Sequence, residues 1–210
     1  MAYISGIEII IDIDFNEVDY VKTEEYINSI VKKHAELLFN QTLVVQTHLH
    51  EGSLKITAVV IGALYIAIGQ YGSFRSGVDY LIKDAKTLKD ITVSHLVRDG
   101  VNDSDIISSS NKNCIPNKIR RVLLAIDRLE SKRNLSDSEF KKELSKIKTS
   151  IKNICNNLSI KDTQFFATSV SQKYLPEDSE IPKLAQEYKI EIREEELNFN
   201  PLLAFDKNAS

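Results

Sequence analysis

ITAVVIGALYIAIGQYGSF, residues 56–74, runs for nineteen positions without a charge, between Lys55 and Arg75. As one helix it would be about 28 Å long, close to the roughly 30 Å of a bilayer's hydrocarbon core. Gly62, Ala63, Ala67 and Gly69 are the small residues that close helix packing in lipid favours. The composition also supports a second reading. Ile56, Thr57, Val59, Val60 and Ile61 are β-branched, which favours a strand. Gln70, Ser73 and two tyrosines, Tyr65 and Tyr71, dilute the second half, so the strictly apolar core, 58–69, is short for a span. A buried strand running into a buried helix is the favoured expectation. The membrane-active alternative would place Val60, Leu64, Ile68 and Phe74 in lipid, with Lys83, Lys86 and Lys89 at an anionic headgroup surface.

The flanks of this stretch supply a sheet. Residues 5–15 alternate, with Ile7, Ile9, Ile11, Ile13 and Phe15 on one face and Glu8, Asp12 and Asp14 on the other; Ile10 breaks the pattern. Residues 23–39 switch to helical spacing through Tyr26, Ile27, Ile30, Val31, His34 and Leu37 or Leu38, with Thr23 as a candidate cap. TLVVQTHLH, 42–50, alternates again. The strand–helix–strand order allows a right-handed crossover. After Tyr71 the chain becomes amphipathic, setting Phe74, Val78, Leu81 and Ile82 against Arg75, Asp79, Lys83 and Lys86.

Residues 99–117, DGVNDSDIISSSNKNCIPN, are rich in Asp, Asn and Ser and read as a linker. Beyond it, Ile115, Ile119, Val122, Ile126 and Leu129 step 4-3-4-3, and Phe140, Leu144, Ile147, Ile151, Ile154 and Leu158 continue the same rhythm. These are heptad positions. Ser136-x-x-Glu139 is a capping box that starts the second helix. An antiparallel hairpin turning at 131–136 follows. A short third helix is expected at 162–174. The tail from 176 is acidic to 197 and ends in an apolar docking segment, Phe199 with 201–205.

RLESKRNLSDSEFKKEL, 128–144, resembles the short helical hairpin called SHOCT, found at the ends of many bacterial proteins. That family pairs two small helices across a turn followed by a Thr/Ser-x-x-Glu-Phe start. Ser136, Glu139, Phe140 and Leu144 match; Asn134 stands where the family has a turn glycine, and the second helix continues past the family's usual end. The resemblance implies an oligomerisation or tethering role for the hairpin.

Charge is distributed in blocks. Residues 1–50 carry eight acids and three bases, whereas 112–152 carry twelve bases and five acids. Such blocks favour intramolecular or head-to-tail contacts, or an acidic partner for the middle one. The basic block also admits nucleic acid, although no aromatic residue interleaves the bases of its first helix. Cys114 and Cys155 are the only cysteines, and their spacing suits no metal site. Two free thiols fit a reducing cytoplasm. The N-terminal stretch has acids among its apolar residues and no basic region ahead of them, which argues against a secretory signal.

Few motifs carry chemistry. His48-x-His50 puts two imidazoles on one strand face, and Asp12 joins them as a metal-ligand candidate if the two strands pair. A metal-dependent hydrolase is the reading that follows. Gly69, Gly72, Arg75 and Gly77 outline a loop that could cradle phosphate, without the Walker ending or dinucleotide glycine spacing. No Gly-x-Ser-x-Gly or cysteine–histidine set offers a nucleophile, and no cofactor is indicated.

The expected organisation is α+β. A small N-terminal sheet with helices occupies 1–98, a polar linker 99–117, a helical hairpin domain 118–175, and an acidic tail 176–210. The expected function is a non-enzymatic, bacterial-type interaction protein that self-associates through Ile119, Val122, Ile126, Leu129, Phe140, Leu144, Ile147 and Ile151. Its expected place is the cytoplasm, with membrane association as the alternative.

Overall fold

A computed structural model of the chain describes residues 1–14, 18–50, 53–132 and 135–177. Residues 1–175 form one unit and 176–210 a second. The protein is α+β. Phe15, the centre of the 131–136 turn and the tail's acidic and apolar segments lie outside the described residues.

The alternating N-terminal stretch is a strand, β1 (Ala2–Asp14), with Ile7, Ile9 and Ile11 buried and Asp12 and Asp14 exposed. Helix α1 (Tyr20–Phe39) begins earlier than the apolar spacing indicates, because Asp19 rather than Thr23 caps it by accepting from Lys22 N. It buries Ile27, Ile30, Val31, Ala35 and Phe39; Leu37 is exposed and Leu38 half-buried. Asn40, in the left-handed region at φ 48°, ends it. Strands β2 (Val44–His50) and β3 (Ser53–Gly62) then form a hairpin.

The uncharged stretch therefore splits. Its first part is β3, with Leu54, Ile56, Ala58 and Val60 buried on the helix-covered face and Lys55, Thr57, Val59 and Ile61 half-buried on the other. Its second part is the short helix α2 (Leu64–Gly69), which buries Leu64, Ala67 and Ile68. Gln41 fixes the corner between them: its Nε2 donates to Ala63 O at 3.0 Å, and its Oε1 accepts from Ala63 N at 2.8 Å. Helix α3 (Phe74–Arg98) follows. Val60, Leu64 and Ile68 thus belong to the core, and Phe74 packs against it. Inserting 56–82 into lipid would require pulling out a strand paired on both sides. Among the described residues no helix is long and apolar enough to cross a membrane.

The polar stretch 99–117 is not a linker. After a 3₁₀ turn at Asp103–Asp105 it forms β4 (Ile106–Asn111), hydrogen-bonded to β1. The sheet order is β2-β3-β1-β4 with every neighbouring pair antiparallel. This is the split βαβ arrangement, in which β1 and β2 run parallel but β3 lies between them. One face of the sheet carries α1 and α3.

Helices α4 (Ile115–Ser131), α5 (Asp137–Cys155) and α6 (Ile160–Thr168) complete the unit. Their buried residues join the sheet's in one hydrophobic cluster, so the hairpin extends the same core. Two features bind α6 to the rest. Phe165 and Phe166 pack against Phe74. The fully buried carboxylate of Asp162 accepts from Tyr65 N at 2.9 Å, capping α2, whose own N-cap residue, Ala63, offers no side-chain acceptor.

Candidate interaction groove on the helical hairpin

The capping box at Ser136 and Glu139 starts α5 as the sequence indicates: Glu139 N donates to Ser136 Oγ and Ser136 N to Glu139 Oε2. In α4, Ile119, Val122, Ile126 and Leu129 are buried; in α5, Ile147 and Ile151 are buried, Leu144 is half-buried and Phe140 is 40 % exposed. Most of both heptad seams is therefore buried within one chain, against each other and the core. Six of the eight side chains expected at an assembly surface are thus occupied within one chain, while Phe140 and Leu144 stay partly open.

What the hairpin leaves open is a groove of about 480 Å³ between α4 and α5. Half-buried Ala125 and the outer edges of the buried Val122, Ile147 and Ile154 supply its apolar lining. Lys118 and Arg121 stand on the α4 side; Lys146, Ser150, Asn153 and Asn157 stand on the α5 side.

The positive sign of this groove follows from where the acids of the block are used. Asp127 holds Arg75 of α3 through two hydrogen bonds of 2.7 Å, which keep its carboxyl below the usual carboxylate range. Glu130 accepts from Tyr174 at 2.8 Å and pairs with Lys173 at 3.0 Å, and both lower its pKa. Glu139 is spent on the cap. Glu143 alone among the acids lines the groove, paired with Lys146 at 2.7 Å. Arg120 turns away to Asp79 of α3 at 3.0 Å. Among the described residues Arg121 donates to a neutral oxygen, Asn113 Oδ1, at 3.1 Å. The amphipathic pattern turns one side of the hairpin inward; pairing of the acids with α3 and the C-terminal turn leaves net positive charge beside an apolar strip.

The other sequence candidates separate in space. His48 and His50 do share the exposed face of β2, but β3 lies between that strand and β1, which carries Asp12. Among the described residues no three His, Cys, Asp or Glu side chains gather as metal ligands would. The pairing on which the hydrolase reading depended does not form. In the glycine stretch, Arg75 is engaged by Asp127. Gly77 is a packing glycine: a Cβ there would stand 2.6 Å from Ile68 Cγ2 and 2.8 Å from Ile68 O.

A constellation with no sequence signature lies between α1 and α3. His34 Nε2 and His95 Nε2 are 2.9 Å apart. Arg98, which can only donate, contacts His95 Nδ1 at 2.8 Å. His95 therefore carries its proton on Nε2 and donates it to His34. Burial, helped by His95, Lys33 and Arg98, lowers the pKa of His34. Asp99 beside it accepts from Tyr26 and from Arg98 Nε. The helical spacing marks His34 only as part of a core stripe; its partner is 61 positions away.

Comparison with protein-family models, with curated proteins and with solved structures finds no match.

Proposed function

We propose that this chain is a non-enzymatic interaction protein of the cytoplasm whose receptor surface is the α4–α5 groove, and that the groove takes an acidic amphipathic helix. One observation carries the reading: an apolar strip lined by Lys118, Arg121 and Lys146, with Glu143 its only acid among the described residues. A helix laid there would cover the strip with residues at i, i+3, i+4 and i+7 and set its flanking carboxylates against the rim. The SHOCT-like segment 128–144 points the same way, since a tethering role is what that resemblance implies. Two free, buried thiols fit the compartment.

The test is a fluorescence titration with a synthetic helix carrying leucines at that spacing and glutamates on both flanks, beside a twin with lysines for glutamates. The acidic peptide binds, its twin does not, and Arg121→Glu with Lys146→Glu weakens binding at least about tenfold. Equal binding of the two peptides, or no effect of the reversals, refutes the proposal. Salt-sensitive binding of duplex DNA in place of the peptide would move the groove to nucleic acid.

A further inference from the structure

The two rims of the α4–α5 groove carry different chemistry. The α4 rim presents Lys118 and Arg121, both exposed and one turn apart. Among the described residues no carboxylate pairs with either of them. The α5 rim steps by three and four through Glu143, Lys146, Ser150, Asn153 and Asn157. Its acid and its base hold each other at 2.7 Å, and the rest is hydroxyl and amide. One rim is therefore positive and the other neutral, with the apolar floor between them.

A helix lying in such a groove can point its apolar stripe at the floor in either direction, but turning it end for end exchanges its flanks. Flanking charges set orientation where helices pack side by side. A flank of carboxylates gains charge-assisted hydrogen bonds beside Lys118 and Arg121. Moved to the α5 rim, the same carboxylates meet Glu143, a like charge, and a lysine already paired. A flank of amides or hydroxyls suits Ser150, Asn153 and Asn157, whose side chains both donate and accept. We propose that the two rims fix the direction of the bound helix, its acidic flank on α4 and its uncharged polar flank on α5. The direction rests on the groove being the receptor surface. The partner is then an amphipathic helix that needs acids on one flank only, and Lys118 and Arg121 set its specificity.

The test takes the full chain and two synthetic helices with one leucine stripe. The first carries glutamates on one flank and glutamines on the other; the second exchanges them. Each has a benzophenone photo-cross-linker at its N-terminus. Both should bind alike, and they should link to opposite ends of the groove, one near Ala125 and the other near Asn157. A second variant moves the bases across, with Lys118→Ser and Arg121→Asn on α4 and Ser150→Lys and Asn153→Arg on α5. All four positions are exposed, so the fold tolerates the exchange. Affinity should stay within about threefold, and the two helices should trade ends. Links at both ends for either helix, or ends that the exchange leaves in place, overturn the fixed direction and spare the groove as a receptor surface. A chain that binds neither helix overturns both.

Discussion

The stretch 54–69 and the hairpin 115–155 both bury more than half of their apolar residues, yet only the second is amphipathic. The difference lies in how many sides of each element are covered. β3 is flanked by β2 and β1, lies under helices on one face, and half-buries even its outward residues. Position for position it offers no place for charge except Lys55, which pairs with Glu8 at 2.8 Å. The hairpin helices are covered on one side, so bases crowd the other. An uncharged run here records a central place in a sheet, continued at once by a buried helix, and its length reflects two elements in succession.

That contrast breaks if the two regions fold independently. Leu64 and Ile151 are both fully buried, one in each region. Leu64→Ala and Ile151→Ala should each cost about 2–5 kcal/mol and lower one shared thermal transition, because both residues belong to the same core. Two separate transitions by calorimetry, each moved by only one substitution, would divide the unit.

A smaller effect is expected where one polar side chain of α6, the helix after the hairpin, caps α2 in the first region. Asp162 is fully buried, accepts from Tyr65 N, and receives the Ser159 hydroxyl at 2.6 Å. Asp162→Ala should cost about 3 kcal/mol, read as a lower denaturant midpoint with unchanged slope. A midpoint equal to wild type would show that the α2 N-terminus is satisfied without it.

The smallest effect sharpens the comparison inside the sheet region alone. His34 has a lowered pKa in the fold. Its contribution to stability is fully present above the ordinary histidine value of about 6.5. It is lost as pH falls from there through the lowered value. His34→Gln keeps an acceptor for the His95 N–H and does not titrate, so its melting temperature should fall less than that of wild type between neutral and mildly acidic buffer. Parallel pH profiles for the two chains would remove the histidine pair from the account.

Much of the fold was legible because periodicity is local. Alternation placed β1 and β2, 4-3 spacing placed α4 and α5, and Ser136 with Glu139 placed the start of α5. The β4 strand was not legible. IISSSN carries little apolar signal, since an edge strand on a half-open sheet needs few buried side chains, and its polar content imitates a loop. The groove was half legible. Twelve bases in one block announced a positive surface, but its floor and rim depended on which acids α3 and the C-terminal turn had taken. Asp162, Gln41 and the His34–His95 contact had no signature at all, because each joins positions distant along the chain.

Burial raises the thiols of Cys114 and Cys155 to about 11, so both are protonated at neutral pH. Cys114 precedes the first residue of α4, and Cys155 is the last of α5. A thiolate must form before either can react, and neither is accessible while the helices are seated. The chain therefore carries its own clock at the end of the hairpin away from its turn. The rate at which a thiol reagent consumes them reads how often that end opens, with no label added.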